Sequence, residues 1–229
     1  MRAETALIIY GSPKGMKGSA ANIGDYFADR LQEKGLRVEK VAANRSIADH
    51  NERERLLSGF DRADLVLICF PLYVDTLPSG LLAALKVICE NGSRMSKRER
   101  MLAAECHCGF PESSQTDTAI RSCRHFADRM GMSFAGGIGL CQGGMIGQAP
   151  LTGFKYAKKH LPLLDRALDS MVEGEAIPED LIVGLKRPFV PPRMYVLFAN
   201  LGWNSMARRH GVRGRITARP FDKERASGH

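Results

Sequence analysis

Five short apolar runs recur along the chain, and each is followed by a stretch with helical spacing. Residues 5–10 are apolar and partly β-branched and end at Gly11-Ser12-Pro13, which predicts a buried strand and then a loop. Ile23, Tyr26, Phe27 and Leu31 share one helical face, so residues 19–34 are predicted as a helix stopped by Gly35. A short strand over 36–41 and a charged helix over 51–61 follow. Residues 64–70 are polar only at their start, the pattern of a strand covered by helices on both faces. A helix over 78–91 has a proline at its first turn and Gly92 behind it. A strand over 101–106, a helix over 113–130, a strand over 133–140 and a helix over 161–172 complete the series. This alternation predicts an α/β fold, a five-stranded parallel sheet between two helical layers, in the doubly wound order 2-1-3-4-5. In such a sheet ligands bind beyond the carboxyl ends of the strands, beside strands one and three.

Four loops therefore carry the chemistry. The first, Gly11-Ser12-Pro13-Lys14-Gly15-Met16-Lys17-Gly18-Ser19, leads into a helix N-terminus. Free backbone N–H groups and the helix dipole make such a junction an anion site, to which Ser12, Ser19, Lys14 and Lys17 add hydroxyls and charge. It contains neither G-K-[ST] nor G-x-G-x-x-G, so it is not a nucleoside triphosphate or dinucleotide fingerprint. The alternative is an ordinary glycine-rich connection with Ser19 as a helix cap. The second loop, Pro71-Leu72-Tyr73-Val74-Asp75-Thr76-Leu77-Pro78, offers an aromatic wall and stiff backbone for a planar heterocycle, or else a capping turn built on Asp75 or Thr76. The third is Cys108-Gly109-Phe110-Pro111-Glu112-Ser113 and the fourth Gln142-Gly143-Gly144-Met145-Ile146-Gly147; for both the alternative is plain turn chemistry.

Taken together, G-S-P-K…S, P-L-Y-V-D-x-L-P, C-G-F-P-E and G-G-M resemble the flavodoxin-like FMN-binding, NAD(P)H-dependent oxidoreductases, the flavin reductase group, over about residues 5–175. The resemblance implies a flavodoxin-like three-layer fold with FMN and NAD(P)H as cofactors. Ser12, Lys14, Ser19 and Asn22 would hold the phosphate. Pro71, Leu72, Tyr73 and Val74 would line one side of the flavin ring, and Gly109 and Phe110 another. Electrons would pass from NAD(P)H to a small-molecule acceptor such as a quinone or flavin, with the flavin carrying the hydride and no catalytic side chain required. Many members carry a hydroxyl after the residue matching Ser19, where this chain has Ala20 and Ala21. Two other readings stay open: an electron carrier serving protein partners, and a flavin-less α/β binding protein that recruits an anionic partner.

No histidine or carboxylate constellation stands out in the sequence; His107, His125 and His160 are expected to be structural or surface residues. Glu112 follows the C-G-F-P turn and is expected to cap the next helix. The six cysteines include no C-x-x-C pair, and Cys106-His107-Cys108 lacks further ligands at metal spacing, so buried free thiols and no metal are expected.

Charge is unevenly placed. Of 33 basic and 25 acidic residues, ten basic and two acidic fall in residues 186–229, which leaves 23 of each sign in the other 185. The chain is thus expected to comprise a neutral flavodoxin-like domain over 1–185 and a basic extension over 186–229. Within the extension, 193–210 is predicted as a helix with Met194, Leu197, Phe198, Leu201 and Met206 on an apolar stripe, and Asn200-Leu201-Gly202-Trp203 resembles a C-terminal segment of some family members. Such a stripe is expected to dock, and the resemblance implies a homodimer. Beyond Gly211 the cations stand without a nucleic-acid-binding motif, so a solvated tail and no nucleic-acid partner are expected. The longest apolar runs, 65–74 and 194–203, are interrupted by Pro71 and by Asn200 and Gly202 and fall short of the roughly 20 residues of a membrane span. With no signal-peptide pattern at residue 1 onward, a cytoplasmic location is expected.

Overall fold

The computed structural model describes residues 1–147 and 150–219. The expected cations Lys223 and Arg225 lie outside the described residues. The chain divides into two compact units, Met1–Phe189 and Val190–His229.

The first unit is built on β1 (Thr5–Tyr10), β2 (Arg37–Ala42), β3 (Leu65–Pro71), β4 (Met101–His107) and β5 (Ser133–Leu140). All pair in parallel, in the order β2-β1-β3-β4-β5. Helices α1 (Ser19–Glu33), α2 (Ala43–Ala48), α3 (His50–Arg62), α4 (Ser79–Asn91), α5 (Asp117–Arg129), α6 (Leu161–Val172) and α7 (Glu179–Leu185) accompany them. This is the flavodoxin-like fold. The sequence pattern marks every strand to within about two residues; it misses the short α2 and α7, which are too brief to show a helical period.

Strand alternation splits the core into two layers. Ala6, Ile8 and Tyr10 of β1 and Leu65, Leu67 and Cys69 of β3 face one cluster with Ile23, Phe27 and Leu31 of α1 and Leu164 and Leu168 of α6. Leu7, Ile9, Val66, Ile68 and Phe70 face the other, with Phe60, Leu81, Ile88 and Cys123. Full burial of each valine, leucine, isoleucine or phenylalanine among them contributes about 1.5–3 kcal/mol. The same alternation in β4 sends Leu102, Ala104 and Cys106 to the second layer. Residues 103, 105 and 107 therefore face the α1 layer, where Ala103 packs.

Helix α1 ends as its sequence predicts. Gly35 takes φ 90°, and the Leu36 N–H donates to the Leu31 carbonyl at 3.0 Å. Glycine reaches that conformation without a Cβ clash.

In the second unit, α8 (Pro192–Arg209) starts at a Pro-Pro pair and has Arg208 and Arg209 in its last turn, where they complement the helix dipole. Leu197, Phe198, Leu201 and Met206 are exposed. No helix among the described residues is long and apolar enough to cross a membrane.

Candidate functional site

The carboxyl ends of β1, β3, β4 and β5 bring all four loops to one edge of the sheet. Their backbones are linked pairwise. The Leu72 N–H donates to the His107 carbonyl at 2.8 Å, joining the second loop to the third. The Gln142 N–H donates to the Phe110 carbonyl and the Gly143 N–H to the Cys108 carbonyl, each at 2.7 Å, joining the third to the fourth. Asn22 of α1 donates its side-chain Nδ2 to the Gly147 carbonyl at 2.6 Å, closing the fourth loop onto the first helix. Gly143 tolerates no side chain here, because a Cβ would stand 2.8 Å from Cδ2 of His107.

Loop one wraps tightly. Gly15 donates to the Ser12 carbonyl at 2.9 Å, and the Lys14 N–H donates to Ser12 Oγ at 3.2 Å. Ser12 is buried, while Lys14 and Lys17 are exposed. Ser19 is not the cap of α1. That place is held by Gly18 at φ 81°, with no side-chain cap, and Ser19 is the first helical residue. The first bond into the helix runs from the Asn22 N–H to the Gly18 carbonyl, so the amides of Ser19, Ala20 and Ala21 project from the helix end. Asn44 of α2 donates to the Pro13 carbonyl at 3.0 Å, and its buried Oδ1 has no partner. Nothing in the sequence singles out Asn44, because its helix goes unrecognised.

Loop two is a two-residue hairpin. Tyr73 and Thr76 exchange both backbone hydrogen bonds at 3.1 Å around Val74 at φ 48° and Asp75 at φ 59°. Neither Asp75 nor Thr76 caps α4; Pro78 stands there without a side-chain bond. A β-branched residue in the left-handed region is a genuine strain, of about 1–3 kcal/mol. Val74 is 95 % exposed, so no packing offsets it. Val74→Gly should therefore raise stability by about 1 kcal/mol after the added unfolded-state freedom is subtracted, moving Tm up by about 2–4 °C. Calorimetry checks this, and a lowered Tm would show that the valine makes a stabilising contact. Tyr73 is 45 % exposed and does not fill a local gap; Phe110 is 55 % exposed. A Cβ on Gly109 would meet no atom within 4 Å. Pro71 and Leu72 are half-buried between them and the sheet. An apolar, partly aromatic surface thus surrounds the ends of β3 and β4.

His107 is buried and bonded on both ring nitrogens, in a constellation that does not stand out in the sequence. Its Nε2 lies 2.8 Å from Ser19 Oγ, and its Nδ1 lies 3.1 Å from Oε1 of Glu105. Glu105 is fully buried and His107 nearly so. The two are separated by one residue on the same face of β4, aimed at the α1 layer, and α1 begins at Ser19. The sequence signal was Glu-Cys-His at the carboxyl end of a strand, where alternation points both polar groups one way. Burial raises the Glu105 carboxyl above its ordinary value, against the lowering effect of His107 and of a bond from the Phe70 backbone. His160 is structural, bonding the Arg187 carbonyl at 2.8 Å, and His125 is exposed. Glu112 makes no side-chain cap.

The thiols flanking His107 are not reactive groups. Burial pushes Cys106 and Cys108 up, and lifts Cys141 to about 11 and Cys123 to about 12. Among the described residues no group of three or more His, Cys, Asp or Glu is placed to hold a metal ion. A cavity of about 670 Å³ lies at the opposite, amino ends of β1 to β3, where Arg62 pairs with Glu39 and Arg98 with Asp64. It is remote from the four loops.

No protein-family model and no curated protein sequence matches the chain. Solved structures do. Rubredoxin:oxygen oxidoreductase from Desulfovibrio gigas aligns at 15 % identity over 80 % of this chain and 37 % of its own, with a TM-score of 0.50. An FMN-dependent NADH-azoreductase from Bacillus anthracis aligns at 12 % identity over 75 % and 97 % of the two chains, with a TM-score of 0.47. A flavodoxin from Streptococcus pneumoniae TIGR4 gives 17 % identity over 58 % and 82 %, with a TM-score of 0.42. At these identities the likeness is one of fold.

Proposed function

We propose that the chain is an FMN-binding oxidoreductase that takes electrons from NAD(P)H and passes them to a small-molecule acceptor such as a quinone or a free flavin. The observation that carries this reading is the convergence of the four loops at the β1/β3 switch point, with an anion cradle on one side and an exposed aromatic surface on the other. The cradle suits a phosphate. It offers the outward amides of Ser19, Ala20 and Ala21 and the hydroxyl of Ser12, which accepts from the Lys14 amide and so keeps its own proton to donate. The surface suits a flat ring. Leu72 and Tyr73 would wall one side and Phe110 the other, and the open space at Gly109 lets the ring lie close to the backbone.

FMN, when bound, supplies the hydride chemistry. The protein's part is to hold the phosphate with loop one, orient the ring with loops two and three, and leave one ring face open to a nicotinamide. Asn22 and Gly143 keep the fourth loop closed on the other three. We further propose a homodimer, supported by the exposed Leu197, Phe198, Leu201 and Trp203 of α8.

The test is FMN addition to the purified chain. Retention of a flavin visible spectrum through gel filtration, with NAD(P)H oxidation when a quinone is added, is expected. A colourless protein at micromolar concentration would end the reading. One observation favours a second reading. Ser19, His107 and Glu105 stand in the order of an acyl-transfer relay, with the α1 amides as oxyanion donors. Covalent capture of Ser19 by a fluorophosphonate probe, unaffected by FMN, would replace the flavin assignment; an unmodified serine removes this alternative.

A further inference from the structure

Ser19 has one hydroxyl proton and two claims upon it. His107 Nε2 stands 2.8 Å away on one side, and the outward amides of α1 mark where an anion would sit on the other. Behind His107, Nδ1 faces the buried Glu105 carboxyl at 3.1 and 3.4 Å. When the Glu105–His107 dyad holds one proton, that proton lies between Nδ1 and the carboxyl, because two bare acceptors at this distance in a buried site repel. Nε2 is then a lone pair and Ser19 must donate to it. The side of Oγ facing the cradle carries only lone pairs, and a phosphate dianion, which only accepts, is repelled. When the dyad holds a second proton, on either the ring or the carboxyl, Nε2 carries the hydrogen and donates to Ser19. The serine proton is then released toward the phosphate.

We propose that the Glu105–His107 dyad couples binding of the flavin phosphate to uptake of one proton from solvent, by setting the direction in which Ser19 donates. This rests on the FMN reading above and adds a pH-dependent affinity to it. Other groups around the dyad do not substitute for it. Cys69 on β3 and Cys106 and Cys108 on or beside β4 have thiols raised above their ordinary value by burial, and Tyr10 on β1 is raised by burial and by its bond to Asp25. Asp25 on α1 is paired with Lys40 at 2.8 Å. From β5, the apolar Ala135, Ile138 and Leu140 face this layer. Glu112 follows in the third loop, and Lys14 and Lys17 of loop one are exposed. By linkage, the second proton and the phosphate strengthen each other.

The experiment compares FMN with riboflavin, which has the same ring and no phosphate, by fluorescence quenching on the full chain from about pH 7 to about pH 9. The phosphate's own second ionisation lies near 6, below this interval, and acts with the opposite sign. The ratio of FMN to riboflavin affinity should fall by up to about tenfold per pH unit as the free protein loses the second proton. Titration calorimetry in buffers of different ionisation heat should read about one proton taken up per FMN at the alkaline end. In Glu105→Gln the amide donates to Nδ1 and holds the ring hydrogen on Nε2 without a second proton, so the ratio should become flat. Ser19→Ala, a half-exposed position, should flatten it as well and guards against a Glu105→Gln variant that fails to fold. A flat ratio in the unaltered protein, or a slope that persists in Ser19→Ala, would overturn the coupling while leaving FMN binding intact. Failure to bind either flavin removes the FMN reading and the coupling with it.

Discussion

Replacing Ser12 and Lys14 together by alanine is expected to weaken FMN binding about a hundredfold while leaving riboflavin binding unchanged. A hundredfold corresponds to about 2.7 kcal/mol, the scale of a charge-assisted hydrogen bond plus a nearby cation. Ser12 is buried at the end of β1, and its Oγ accepts the Lys14 amide at 3.2 Å, so the hydroxyl both shapes the loop and has its proton to give. The cation on Lys14 is exposed beside it. The ring contacts lie on other loops, which is why riboflavin should not notice. Parallel quenching titrations with both flavins at neutral pH measure the difference. Equal affinity of the variant and the unaltered chain for FMN would place the phosphate away from loop one.

The second large effect concerns stability. Asp64→Ala should cost about 3 kcal/mol and lower Tm by roughly 6–12 °C. The Asp64 carboxylate accepts from the Glu4 N–H at 3.0 Å, the Thr5 N–H at 2.9 Å and the Thr5 hydroxyl at 2.7 Å, and it pairs with Arg98. It thus ties the start of β1 to the start of β3, the central strand. Burial raises its pKa, but the bonds from Thr5 and Glu4 and the charge of Arg98 outweigh that and hold it below the ordinary 3.8. A depressed carboxylate contributes its stability in full above the unfolded value and loses it as pH falls through the lower, folded value. The chain should therefore lose stability below about pH 4, and the Asp64→Ala variant should lose less over the same interval. Thermal unfolding of both proteins across acid pH tests this. Parallel curves for the two would assign the acid lability to other groups.

The sheet order and the strands were legible because the central strands β1 and β3 are apolar on both faces and each long helix repeats its apolar residues on one. Ile23, Phe27 and Leu31 announce α1, and the unbroken run from Leu65 to Phe70 announces β3. The loops were legible by position, since a doubly wound sheet dictates which strand ends face a ligand. The Glu105–His107–Ser19 chain was not read, although its first two members stand at alternate positions in a strand. A histidine between two cysteines draws attention to metal chemistry, and the serine that completes the chain is 88 residues from His107. Long-range pairing of that kind depends on register, and β4 aligns Cys69 with Glu105 only once the sheet is assembled. Asn44 stayed hidden for a different reason: it sits in a six-residue helix too short to have a period. Helix α8 was legible as well: its apolar stripe and Pro-Pro start predicted a helix, and the helix forms with Leu197, Phe198, Leu201 and Met206 exposed.

A crystal structure of the chain grown with FMN tests the central claim most directly. The phosphate is expected within hydrogen-bond distance of Ser12, Ser19 and the amides of Ala20 and Ala21, with the ring between Leu72–Val74 and Phe110. Flavin bound elsewhere, as in the arginine-lined cavity of Arg37, Arg62 and Arg98 at the amino ends of the strands, would contradict it.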